Sequence, residues 1–257
     1  SGFWRRITHV RQVQGFACRV YPCPLRLGLH IHVDISWWMN GPGSFCSGLL
    51  CLACINIRAL NKFHVNGGNM NCLVTGAAGF IGSHLCEKLI EHGHTVVGID
   101  NLSVGRVENL KTIFKHANFT FEKVDVTVRQ SKSGHWLGRK LKDIDWVFHL
   151  AALADIVPSI NDPFSYHRAN VEGTVAVLDA ARKQNVKRFI YAASSSCYGI
   201  PNEYPTLESA EMRPEYPYAL TKMVGEQYVM HWAKVYKLPA LSLRLFNVYG
   251  PRARTAG

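Results

Sequence analysis

Apolar residues change their spacing along the chain near residue 70. Before it, Trp4, Trp37, Trp38, scattered prolines and a Gly-Pro-Gly at 41 to 43 follow neither a strand nor a helix period, and no element is predicted. Beyond it, short apolar runs alternate with stretches whose apolar positions recur every three or four residues. Cys72-Leu73-Val74 reads as a buried strand. Ile81, Leu85, Leu89 and Ile90 share one helical face, and Gly93 closes that helix before a second strand, Thr95 to Ile99. Phe119 to Val124 and Asp145 to Leu150 read as strands three and four, Tyr166 to Gln184 as a long helix, Val186 to Ala193 and Ala240 to Leu245 as strands five and six. This alternation predicts an α/β fold, a parallel sheet with helices on both faces. Met70 stands one residue before the first strand. Residues 1 to 69 are therefore expected to be an unstructured or non-native extension, and residues 70 to 257 one domain.

Charge divides at the same point. The whole chain carries 29 Lys+Arg against 18 Asp+Glu, a formal net charge of +11. Residues 1 to 69 hold seven basic residues and one acid, leaving a mild excess of 22 over 17 for the rest. No basic stripe with interleaved aromatics appears, so nucleic acid is not the expected partner. Five of the eight cysteines precede Met70; Cys72, Cys86 and Cys197 are scattered, which suits buried thiols in a reducing cytoplasm. Cys51 and Cys54 with His30, His32 or His64 lack a second ligand pair at finger spacing, so no metal is expected. The longest apolar run, Leu49 to Ile57, is far too short to span a membrane.

The most informative stretch is Asn71 to Asn101. Gly76, Gly79 and Gly82 follow the first strand at three-residue spacing and open the first helix, and Asp100 ends the second strand. Strand, glycines, helix, strand and acid in that order form a dinucleotide site. Gly76 and Gly79 let the backbone turn and approach a pyrophosphate, which the helix N-terminus receives through the N–H groups around Phe80 and Ile81; Gly82 lets helix and strand pack closely. Asp100 would accept the adenosine ribose hydroxyls and repel a 2′-phosphate, so NAD is expected rather than NADP. Asp125-Val126 ends the third strand within reach of an adenine amino group. The small residues of Leu150-Ala151-Ala152 let the next loop lie against the cofactor's phosphates and ribose.

The fifth strand runs into Ser194-Ser195-Ser196-Cys197-Tyr198-Gly199 at the sheet edge where such folds place their ligands. Tyr218 and Lys222 lie four apart, one helical turn, so the ammonium can stand beside the phenol. A phenol has a pKa near 10, and an adjacent ammonium together with a cationic nicotinamide would favour the phenolate a neutral-pH base requires. Ser194 could hold the same substrate hydroxyl.

These features resemble the extended short-chain dehydrogenase/reductase family: the glycine series 76 to 82, Asp100-Asn101-Leu102, Asp125-Val126, Leu150-Ala151-Ala152, Asn170, the serine stretch, Tyr218 with Lys222, and Arg244-Leu-Phe-Asn-Val-Tyr-Gly-Pro251. Within it the chain is similar to nucleotide-sugar 4-epimerases of the UDP-glucose and UDP-N-acetylglucosamine kind. The resemblance implies a doubly wound Rossmann fold that binds NAD through Asn101 and Asn170 as well as the residues above. It implies Ser194 and Tyr218 as the acid/base pair supported by Lys222, with Ser196 and Asn247 at the nucleotide-sugar substrate. It further implies a homodimer for the complete protein and a C-terminal substrate domain beyond residue 257. Ala154 stands where UDP-glucose members often carry Lys, so the sugar stays open. Dehydratase and decarboxylase relatives place carboxylates just after the hydroxyl residue, where this chain has Ser195 and Ser196, and epimerisation needs none. A net oxidoreductase and a non-catalytic NAD-binding module remain as other readings.

Overall fold

The structure, a computed structural model, describes residues 68 to 128 and 141 to 253. Six strands, β1 (Asn71–Thr75), β2 (Thr95–Asp100), β3 (Phe119–Lys123), β4 (Trp146–His149), β5 (Arg188–Ser194) and β6 (Ala240–Leu245), form one sheet in the order β3-β2-β1-β4-β5-β6. Every neighbouring pair is parallel. Parallel strands need crossovers, and the helices that supply them cover both faces. Leu73, Val147, Phe189 and Tyr191 share a core with Val177 and Ala181 of α4 (Gly173–Lys183) and Val229 and Ala233 of α5 (Pro217–Val235). The alternate positions Cys72, Val74, Trp146, Phe148 and Ile190 share the other core with Cys86, Leu89 and Ile90 of α1 (Phe80–Glu91). The doubly wound Rossmann architecture expected from the sequence is the one observed.

The helical stretch around Asn170 differs from its expectation. It begins at Pro163 rather than Tyr166, with the Asp162 side chain accepting a hydrogen bond from Ser165 N as the N-cap. It then comprises α3 (Pro163–His167), a π turn over Arg168–Glu172, and α4, and is preceded by a short helix, α2 (Ile156–Asn161), that the sequence did not predict. Asp before Pro is a helix-start signal that was present in the chain, whereas Pro158 inside α2 reads as a breaker.

Cys72, Cys86 and Cys197 are buried free thiols, as expected. Burial pushes Cys72 up to about 12 and Cys197 up to about 11, and raises Cys86 as well. No helix among the described residues is long and apolar enough to cross a membrane. The expected extension, apart from residues 68 and 69, and the Cys51/Cys54 pair lie outside the described residues.

Strand order reverses between β1 and β4, with Thr75 paired to His149 at their C-terminal ends. Loops leaving a sheet at such a point diverge to opposite faces and leave a crevice. The candidate site is built there.

Candidate active site

After Thr75 the backbone turns through Gly76 at φ +70°, a conformation that disfavours any side chain. Space excludes one too, since a Cβ there would lie 2.9 Å from Ala151 N. Gly79 N donates to Gly76 O at 3.1 Å, and Ser83 N to Gly79 O at 3.1 Å. A Cβ at Gly82 would stand 2.0 Å from Gly76 O, so α1 can sit this close to β1 only with glycine at that position. No side chain caps α1, and its first-turn N–H groups, Phe80 and Ile81 among them, have no intrahelical acceptor. Such an end suits an anion.

Asp100 ends β2 beside this turn. Its Oδ2 accepts from Ala78 N at 3.0 Å and its Oδ1 from Leu102 N at 2.8 Å. Burial holds its carboxyl above the usual carboxylate range, with these two N–H groups acting the other way. Each oxygen keeps a lone pair for a further donor. Asn101 Nδ2 donates to Asp125 Oδ2 at 3.1 Å, and Thr127 N and Oγ1 hold Asp125 Oδ1 at 2.8 and 2.7 Å. Burial raises the Asp125 carboxyl, but these hydrogen bonds outweigh it and leave it below the usual range. Val126 is buried in the core. Leu150, Ala151 and Ala152 are half-buried, with Ala151 close against the Gly76 turn. Glycine cradle, capless helix end and Asp100 together fit a dinucleotide.

On the other side of β4, Ser194 ends β5 and caps the short turn Ser195–Tyr198. Its Oγ accepts from Ser196 N at 3.2 Å and from Ser196 Oγ at 2.8 Å. Tyr218, in the first turn of α5, lies close enough to Ser194 for that hydroxyl to ease ionisation of its phenol. One turn on, Lys222 is 4 % exposed. Its Nζ donates to Ala192 O at 2.7 Å and stands 5.0 Å over the Tyr191 ring. Burial pushes this ammonium down to about 8. Burial holds the Tyr218 phenol above its ordinary range, and the nearby Ser194 hydroxyl only partly offsets this; the phenolate expected from the sequence counted the charge of a cationic nicotinamide as well. The Ala192 carbonyl takes one of the three N–H donors of the Lys222 ammonium and leaves two for other acceptors. Asn247 is exposed two residues beyond Leu245, the β6 partner of Ser194.

Asn170 lies beneath the loop that follows β4. It is 1 % exposed, and its amide serves the protein: Oδ1 accepts from Leu153 N at 2.8 Å, while Nδ2 donates to Leu153 O at 2.9 Å and to Thr221 Oγ1 at 3.0 Å. It ties the loop after β4 to α5 from beneath.

Several residues of the site had no sequence assignment. Thr75, His149, Thr174 and Thr221 form buried hydrogen bonds below the crevice. Glu226, one turn past Lys222, binds Arg244 of β6. The i+4 series Tyr218, Lys222, Glu226 was a readable signal that all three share a helix face; the others pair across long stretches of chain and left none.

Residues 72 to 257 match the model of the NAD dependent epimerase/dehydratase family. A UDP-glucose 4-epimerase of Mycolicibacterium smegmatis is 42 % identical over 184 residues, which cover 71 % of this chain and 58 % of that protein. Among solved structures, a UDP-N-acetylglucosamine 4-epimerase from Methanobrevibacter ruminantium in complex with UDP-N-acetylmuramic acid matches with TM-score 0.68 at 38 % identity, over 74 % of this chain and 58 % of that one. A dTDP-glucose 4,6-dehydratase from Streptomyces venezuelae matches with TM-score 0.67 at 28 % identity, over 71 % and 57 %. The chain thus spans somewhat more than half the length of these relatives. With the crevice, the glycine turn and the Ser194, Tyr218 and Lys222 cluster in the same sheet edge, the chain belongs to the NAD dependent epimerase/dehydratase family.

Proposed function

We propose that the complete protein is an NAD-dependent nucleotide-sugar 4-epimerase acting on a UDP-hexose or UDP-N-acetylhexosamine. The observation that carries this reading is the neighbouring Ser194 and Tyr218 pair, with Lys222 one turn behind, on the edge of a sheet whose adjoining crevice has the dinucleotide fit. Gly76, Gly79, Gly82 and the first turn of α1 would hold the pyrophosphate; Asp100 would take the adenosine ribose, Asn101 and Asp125 would serve the adenine, and Leu150 to Ala152 would line the middle. Bound NAD would accept a hydride from C4 of the sugar and return it to the opposite face, which leaves no net oxidation. Tyr218 takes the C4 hydroxyl proton as the ketone forms and gives it back on return, and Ser194 holds that oxygen. Lys222 supports the phenol and the nicotinamide ribose, with its lowered pKa keeping it close to neutrality. Ser196 and Asn247 contribute to the sugar-nucleotide site. The reading is of a cytoplasmic homodimer.

Likeness to a dehydratase favours a second reading, elimination from the 4-keto sugar. That step needs an acid and a base after the hydroxyl residue, and Ser195 and Ser196 supply no carboxylate. Incubating the complete protein with UDP- and dTDP-hexoses and following C4 configuration tests both. Inversion with no accumulation of NADH supports the epimerase; a 4-keto-6-deoxy product replaces it with the dehydratase, and stoichiometric NADH release with an oxidoreductase.

A further inference from the structure

His149 ends β4 with no solvent exposure, 5.8 Å from the Tyr191 ring and stacked on it. Its ring is the centre of a chain of hydrogen bonds whose direction is fixed at every link. Thr174 Oγ1 lies 2.6 Å from Asn170 O, which can only accept, so the Thr174 proton is committed there. The Thr174 oxygen must then accept from His149 Nε2 at 3.0 Å, so Nε2 carries the ring proton. At the other ring nitrogen, Thr75 Oγ1 already receives Leu150 N and Ala151 N, each at 3.1 Å, and its own proton goes to His149 Nδ1 at 2.7 Å. Both hydroxyls and both ring nitrogens are satisfied only by the neutral Nε2–H tautomer.

The chain connects the two halves of the site. At one end are the Leu150 and Ala151 amides, the start of the loop that lies against the Gly76 turn. At the other is Asn170, whose amide holds the end of the same loop at Leu153 and reaches Thr221. Thr221 sits between Tyr218 and Lys222 and donates to Tyr218 O at 2.8 Å. We propose that His149 is a positioning residue: through Thr75 and Thr174 it keeps the cofactor-facing loop Leu150–Leu153 and the Tyr218/Lys222 helix in one fixed relation. The reason is geometric. Hydride and proton transfer require two groups, held by different elements, to stay within a fraction of an ångström, and a buried, fully satisfied chain has one arrangement that meets all its bonds. The proposal rests on the cofactor reading above for its functional meaning.

The test uses Thr174, because two substitutions separate the link from the packing. Thr174→Val keeps the shape and removes the hydroxyl; Thr174→Ser keeps the hydroxyl and removes the methyl. His149→Phe breaks both ring links. Hydrogen exchange of the amides at 150 to 153 and NAD affinity by calorimetry are measured on the 257-residue chain. Expected are faster loop exchange and about tenfold weaker NAD binding in Thr174→Val and His149→Phe, with Thr174→Ser close to the unaltered chain. A role in packing alone gives the reverse order for the two Thr174 variants and overturns the proposal, as does unaltered loop exchange in Thr174→Val. Absence of NAD binding by the unaltered chain would instead fall on the cofactor reading, and the exchange measurement still decides whether the link exists.

Discussion

Glu226 and Arg244 join α5 to β6 through a buried ion pair: Arg244 Nε donates to both carboxylate oxygens at 3.0 Å and Nη2 to Oε1 at 2.6 Å. Arg244 Nη1 reaches Tyr198 Oη at 2.7 Å and Glu208 O at 3.1 Å, so the turn after Ser194 is bound to the same guanidinium. Glu226→Gln leaves that cation buried without its counter-charge. Unfolding free energy should fall by roughly 3 kcal/mol in denaturant titrations. A variant as stable as the parent would mean that Arg244 is held by Tyr198 and Glu208 alone.

Gly225 sets how close α5 lies to β5. A Cβ there would stand 2.3 Å from the Tyr191 hydroxyl and 3.0 Å from its ring carbon, under the same ring that Lys222 covers. Gly225→Ala should lower stability by about 1–3 kcal/mol, since packed cores absorb extra volume poorly. Tyr191→Phe removes the atom that clashes and should recover part of that loss. Additive effects of the two substitutions in melting experiments would refute this contact as the cause.

On the proposed reading, Tyr218→Phe would remove the proton carrier and little else, because the glycine turn and Asp100 would supply most of the cofactor affinity. In the complete protein, C4 inversion should drop to a few per cent or less while calorimetry shows NAD binding within about threefold of the parent. Substantial remaining turnover would assign the base to another residue.

His149 gives the fold an acid limit. Burial first, and the Lys222 charge second, push its pKa from an ordinary 6.5 down to about 3. The unfolded chain takes up this proton below pH 6.5 while the folded protein refuses it, so the unfolded state binds more protons throughout pH 6.5 to 3. This contribution to stability is complete above pH 6.5 and is lost on acidification at about 1.4 kcal/mol per pH unit. The difference in stability between the parent and His149→Phe should therefore narrow as pH falls through that window. A constant difference would contradict a neutral imidazole.

What the sequence revealed follows from the range of the interactions involved. The glycine turn, Asp100 and the strand pattern are local: each rests on backbone space or periodicity within about thirty residues, and β1 through β2 were placed to within a residue or so. Tyr218 and Lys222 were legible because one helical turn brings them together. His149 was passed over as the last apolar-flanked residue of a strand, since Thr75 lies 74 residues before it and Thr174 25 after it. Arg244 was read as part of a motif while its partner Glu226 went unnoticed. Burial of the Tyr218 phenol was illegible for a related reason: it is a property of the assembled core, and the spacing of an amine from a phenol along one helix carries no information about it.

The buried thiols give this chain a clock. Cys197 lies within the serine turn with its Sγ 3.7 Å from Ala219 O, and burial keeps it protonated at neutral pH. Cys72 and Cys86 are as well shielded, inside the core that α1 covers. Alkylating reagents attack thiolate, so none of the three should react from the closed state. Each modification then records an excursion: Cys197 the lifting of α5 from the serine turn, Cys72 and Cys86 the parting of α1 from the sheet. Read by mass as a function of time, three ordinary cysteines would report how often each half of the crevice opens, and whether a bound dinucleotide slows one door or both.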